Sequence, residues 1–209
     1  AVWSPRAQAD RTDYANRVRT ACETQKNLEL RQDMGISIGV EGGEITGVFG
    51  QFDRFYPAKA VILTAGTFLN GIIHIGLKQV RSGRAGEFAA EGMTECLQEL
   101  GFESGRLKTG TPPRLDGRTV NWDKTEVQHG DAEPTPFSFR TSTLEVDQLP
   151  CYITHTSPVT HEIIRSGLDQ SPMYAGRIQS VGPRYCPSVE DKIVRFADKE
   201  RHQIFLEPE

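Results

Sequence analysis

Residues Ala60-Val61-Ile62-Leu63 form an apolar run with no polar alternation. A strand with one wet face alternates, so a run that is apolar at every position reads as a strand buried on both faces, as in parallel sheets covered by helices. The run leads directly into Thr64-Ala65-Gly66-Thr67. Small residues at the end of such a strand let a ligand come closer to the backbone than bulky side chains would allow. An α/β fold with a nucleotide-type crevice after Leu63 is the reading that follows.

The flanking sequence fits this picture. Ser4-Pro5 has the form of a helix start, and Ala15, Val18, Ala21 and Cys22 recur at helical spacing, which predicts a helix over about 5–25. Met34–Val40 and Ile45–Phe49 are strand-like and flank Glu41-Gly42-Gly43-Glu44, a hairpin turn by its paired glycines. A β-meander followed by a buried strand resembles the second half of a flavoprotein FAD domain. The strand–GxGxxG–helix that opens such a domain is absent from the chain. Downstream, helices are predicted over about 87–101, 160–168 and 188–196, and strands over 151–154 and 203–206. Residues 105–150 read as irregular, broken by Pro112, Pro113, Pro134 and Pro136.

Composition limits the function classes. The chain has 209 residues, and the apolar stretch 58–75 is interrupted by Lys59, Thr64, Thr67, Asn70 and His74, so no membrane span is read. Cys22, Cys96, Cys151 and Cys186 form no CxxC pair, which argues against a zinc knuckle or dithiol redox motif; no metal site is expected. Net charge is −4, so contact with nucleic acid would need a local basic patch. The start at Ala1-Val2-Trp3 and the end after a strand-like run lead us to expect an internal piece of a longer protein.

Three segments carry candidate chemistry. Arg81 and Arg84 sit in a glycine-rich stretch with Lys78, Gly83 and Gly86. Arg106, Lys108 and Arg114 surround Thr109-Gly110-Thr111, an anion-binding type of loop without P-loop order. These five cations are the candidate contacts for phosphates of a cofactor or a nucleic acid. The third segment is Gly182-Pro183-Arg184-Tyr185-Cys186-Pro187-Ser188-Val189-Glu190-Asp191-Lys192-Ile193-Val194-Arg195-Phe196. Ser188 and Asp191 have capping-box spacing, which places Cys186 just before a helix N-terminus. The helix dipole and Arg184 would both favour the thiolate. A buried structural cysteine is the alternative on spacing alone.

At these residues the chain resembles the MnmG (GidA) family. The resemblance runs from Ala1-Val2-Trp3-Ser4-Pro5-Arg6 to Phe205-Leu206-Glu207-Pro208-Glu209. Its most specific stretches are Gly66–Gly71, Ile73–Gly76, Arg106–Arg114, Ile153–Thr156, Ser171–Tyr174 and Gly182–Phe196. It implies an enzyme that adds a carboxymethylaminomethyl or aminomethyl group to C5 of the wobble uridine (U34) of tRNA. It further implies FAD, NADH, methylene-tetrahydrofolate as one-carbon donor, and glycine or ammonium as the amine. The implied setting is cytoplasmic, with a homodimer working with the GTPase MnmE. Gly182–Phe196 is the stretch associated with NADH and the active site, Cys186 matches a proposed catalytic thiol, and Thr64, Gly66 and Thr67 fall to the FAD side.

The resemblance implies a partial FAD/NAD(P)-binding Rossmann-like domain with an inserted mixed α/β domain. Residues 1–69 would be FAD domain, 70–200 the NADH- and substrate-side insertion, and 201–209 the return strand. The glycine fingerprint and the helical domain that docks MnmE are not in the chain. Ala90 stands where the family carries a flavin-site serine. An isolated piece of this kind is expected to be inactive. A disulfide reductase relative would need a close cysteine pair, which is missing. A folate/FAD-dependent tRNA uridine methyltransferase and a non-catalytic tRNA- or cofactor-binding module are the other readings.

Overall fold

In the computed structural model, residues 6–178 and 188–209 are described. Along the chain run α1 (Arg11–Thr24), β1 (Gly35–Glu41), β2 (Glu44–Gly50), β3 (Phe55–Pro57), β4 (Ile72–Ile75) and β5 (Lys78–Arg81). After them come α2 (Met93–Glu99), β6 (Glu126–Gln128), β7 (Cys151–His155), α3 (Pro158–Ser166), α4 (Val189–Arg195) and β8 (Gln203–Leu206). Helices and strands mix throughout, consistent with an α/β fold. The described residues form two compact units: those within Ala1–Leu30, Thr111–Ile164 and Val189–Glu209 make the first, those within Arg31–Gly110 and Arg165–Ser188 the second.

In the first unit β7 is the centre of a three-stranded antiparallel sheet, between β6 and β8. Ile193 of α4 is its one fully buried apolar side chain, at 1 % exposure among the described residues. The indole N–H of Trp122 donates to the Gly117 carbonyl at 3.0 Å, and its ring lies 4.5 Å from that of Tyr152. These contacts fix part of the otherwise irregular 105–150 stretch. The helix expected from about residue 5 starts only at Arg11: residues 6–10 are not helical, and Asp10 caps α1, its Oδ1 accepting the Asp13 N–H at 2.9 Å. Ser4 and Pro5, the expected start, lie outside the described residues.

In the second unit β1, β2 and β3 form the expected meander. Glu41 pairs with Glu44 across Gly42 (φ 58°) and Gly43 (φ 85°), a two-residue turn that needs positive φ at both positions. The short helix α2 packs on β1: Met93 is 3 % exposed, and the Ile38 N–H points at Cys96 Sγ, 3.3 Å away.

Two further expectations are corrected. The helix predicted over 87–101 forms only as α2. Gly92 adopts φ 95° just before it, and the backbone of Ala90 is committed elsewhere, its N–H to the Phe68 carbonyl and its carbonyl to the Asn70 N–H. A residue bonded to a distant segment cannot close helical i to i−4 bonds as well. The second correction concerns Ala60–Leu63, which is not in a strand, and Ile62 is 88 % exposed. A strand buried on both faces needs a hydrogen-bonded neighbour and cover for each face, and none of the described strands pairs with this run.

Candidate functional site

The chain after Leu63 turns sharply, with the Phe68 N–H donating to the Ala65 carbonyl at 3.1 Å. Gly66 lies in this turn at φ 56°, and nothing stands within 4 Å of where a side chain would begin. Thr64, Gly66 and Thr67 are exposed. Thr67 Oγ1 donates to the Gly83 carbonyl at 2.7 Å, which joins this turn to the loop after β5. Two glycines permit that approach. A Cβ on Gly71 would stand 2.6 Å from the Ser82 carbonyl oxygen, and one on Gly83 would stand 2.8 Å from Phe68 Cα. Ser82 is buried, and its hydroxyl lies within donating reach of the carbonyls of Arg84 and Glu87, closing the loop that carries Arg84.

Asn70 is the hub. It holds a left-handed φ of 47°, which Asn tolerates better than most side chains. Its N–H donates to Ala90, its carbonyl accepts from Arg106 Nη2 at 3.0 Å, and its amide donates to Glu95 Oε1 at 2.8 Å. Glu95 Oε2 also accepts the Gly92 N–H at 3.1 Å, which caps α2. Hydrogen bonds from its own backbone N–H and from Asn70 hold the Glu95 carboxyl below the usual range, and Gly92 and Arg81 add to this. Arg81 in turn pairs with Glu91. These residues line a cleft of about 380 Å³. Its walls carry two guanidiniums and two carboxylates, so it offers donors for a phosphate or carboxylate within a balanced charge environment.

The structure thus brings Arg81 and Arg106 to one cleft. Arg84 pairs with Glu87 on the adjacent loop, and half-buried Lys108 follows Arg106 in the same unit. Arg114 belongs to the other unit, where Nε and Nη2 clasp both carboxylate oxygens of Glu209 at 2.8 and 2.9 Å. Val189, Glu190, Asp191, Lys192, Ile193, Val194 and Arg195 form α4, with Ser188 just before it. Phe196 follows with the Lys199 ammonium 5.4 Å from its ring centroid. Gly182, Pro183, Arg184, Tyr185, Cys186 and Pro187 lie outside the described residues, so the candidate thiol does too.

Sequence reasoning passed over Asn70, Glu91 and Glu95. The Asn70-Gly71 dipeptide was a turn signal that pointed to the first. Glu91 and Glu95 recur with Glu87 and Glu99 every four residues, a pattern that reads as a solvated helix face, and nothing local distinguishes them from Glu99. Among the described residues no group of three or more His, Cys, Asp or Glu side chains is arranged to hold a metal, and no helix is long and apolar enough to cross a membrane.

The family described as Glucose inhibited division protein A matches residues 1–209. The chain belongs to the GidA family. A Thermodesulfovibrio yellowstonii protein named tRNA uridine 5-carboxymethylaminomethyl modification enzyme MnmG is 55 % identical over 209 residues, covering 100 % of this chain and 34 % of that protein. A Flavobacterium johnsoniae protein of the same name is 53 % identical over 210 residues, with the same coverage. The crystal structure of Aquifex aeolicus GidA superposes with a TM-score of 0.89 at 47 % identity, over 98 % of this chain and 35 % of that one. This GidA chain spans about a third of the length of the relatives it matches.

Proposed function

We propose that the chain is part of an FAD-dependent enzyme that adds a carboxymethylaminomethyl group to C5 of the wobble uridine of tRNA. The observation that carries the reading is 55 % identity, over the whole chain, to a protein named for that modification. NADH is the reductant and methylene-tetrahydrofolate the one-carbon donor. The protein acts as a cytoplasmic homodimer together with the GTPase MnmE. Residues 1–69 and 201–209 belong to the FAD domain, and 70–200 to the insertion.

The residues present fit one side of a dinucleotide site. Gly66 exposes bare backbone, and Thr64 and Thr67 flank it with hydroxyls. Thr64, Gly66 and Thr67 would lie against FAD, which supplies electron transfer when bound. Gly182–Phe196 would hold NADH, and Arg81, Arg84, Arg106, Lys108 and Arg114 would contact tRNA or cofactor phosphates.

Cys186 is the catalytic thiol of this reading. C5 of a uracil ring is a weak nucleophile. Addition of the thiolate to C6 makes C5 enolate-like, able to attack an iminium or methylene electrophile, and the thiolate leaves when the C5 proton is lost. Proton transfer at C5 by the thiol is the other role open to it. Cys186→Ser in the full-length enzyme should keep the fold, flavin and tRNA binding and lose most of the modified nucleoside, measured in tRNA from cells carrying only the variant. Normal nucleoside levels there would overturn the assignment.

A further inference from the structure

Thr156, His161 and His202 are 8 %, 3 % and 7 % exposed, a cluster of buried polar side chains in the first unit. Thr156 directly follows β7 and His202 directly precedes β8. The Thr156 N–H donates to the His202 carbonyl at 2.9 Å, and the His202 N–H donates to Thr156 Oγ1 at 2.8 Å. His161, from α3, brings Nε2 to 2.7 Å from the same hydroxyl. The same hydroxyl lies 3.5 Å from the His202 carbonyl, so it links His161 of α3 to the β7–β8 junction.

The His202 ring lies 5.3 Å from that of His161, and its Nε2 is buried without a hydrogen-bond partner among the described residues. A buried nitrogen without a partner costs less while the ring is neutral than once the ring is charged. The groups that face His202 mostly oppose a positive charge on it: His161 from α3, Lys192 from α4, and Lys199 from the connection to β8. Asp198 alone favours it.

We propose that Thr156, His161 and His202 form an acid-sensitive latch, which ties α3 to the β7–β8 junction while the His202 imidazole is neutral and opens when His202 gains a proton. Burial, followed by His161, Lys192 and Lys199, pushes His202 below the usual imidazole value of 6.5. The folded state therefore disfavours the proton. The stabilisation is complete above 6.5 and is lost as the pH falls below it toward the lower folded-state value. Protonated His202 would also repel Lys192. Because α4 carries Val189–Arg195, the latch couples acidity to the proposed NADH segment, and this consequence alone rests on the proposed function.

The test uses the full-length protein and two mass-spectrometric readouts. Exchange of imidazole C2–H should give His202 a midpoint below 6.5. Amide exchange over Pro158–Ser166, corrected for intrinsic rates, should rise at least about ten-fold between pH 7.5 and 5.5 in the wild type and stay flat in His202→Gln. A His202 midpoint at or above 6.5, or the same rise in the variant, overturns the latch. If His202→Gln does not fold, the wild-type midpoint decides by itself. Loss of tRNA modification by other means would leave these readouts unchanged.

Discussion

The Asn70 side-chain amide donates to Glu95 Oε1 at 2.8 Å, and the Asn70 carbonyl accepts from Arg106 at 3.0 Å. Replacing Asn70 by Ala removes the first bond and places a Cβ residue without Asn's tolerance in the left-handed region. The expected loss is about 1–2 kcal/mol. Asn70→Gly keeps the backbone relaxed and gives up only the amide. Unfolding midpoints should therefore fall in the order wild type, Asn70→Gly, Asn70→Ala. Asn70→Ala outlasting Asn70→Gly would contradict the role given to the left-handed conformation.

Gly83→Ala should be among the most damaging small substitutions in the second unit. The new methyl would overlap the Phe68 ring and stand 2.8 Å from Phe68 Cα, a backbone atom that cannot move aside cheaply. A loss of about 2–3 kcal/mol is expected. Gly42→Ala meets only open space at φ 58° and should cost about 1–2 kcal/mol. Comparison of soluble yield and thermal midpoint for the two variants checks the contrast. Equal effects would mean that the contact between Phe68 and Gly83 is not as close as described.

Glu209 titrates at about 2 rather than 4.5, held down first by the hydrogen bonds from Arg114 and then by Arg11. A depressed carboxyl stabilises the fold above its unfolded value and loses that contribution as pH falls from 4.5 toward 2. Both partners are well exposed, so the effect on overall stability is small and salt-sensitive. Arg114→Ala should return the Glu209 midpoint toward 4.5, read from its side-chain carboxyl carbon by NMR of the chain. A midpoint that stays near 2 would assign the shift to something other than Arg114.

The isolated 209-residue chain should be colourless and leave the fluorescence of added FAD unquenched. Its sequence has no GxGxxG motif of the kind that receives a pyrophosphate at a helix N-terminus. The Ala60–Leu63 run that would lead to the cofactor is also exposed and unpaired in it. Stoichiometric flavin in a purified preparation would refute this expectation.

Local chemistry was legible in the sequence wherever the partners lie close along the chain. The Gly42-Gly43 turn, with β1 and β2 on either side, follows from positive φ at two neighbouring glycines. The helices α3 and α4 and the strands β7 and β8 stand within about two residues of where periodicity and capping put them. The family resemblance was legible for the same reason, because its motifs are contiguous stretches of side chains.

Tertiary structure decided the rest. Whether Ala60–Leu63 becomes a strand depends on neighbouring strands that no local pattern supplies. The start of α2 was set by Ala90 bonding to Phe68 and Asn70, some twenty residues upstream. Arg81 looked like a free cation until the fold brought Glu91 to it, and Arg114 until it met Glu209, 95 residues on. His161 and His202 carry no signal of their own. Their coupling exists because β7, α3 and β8 converge on one buried hydroxyl, and burial is a property of the packed chain, not of the residue.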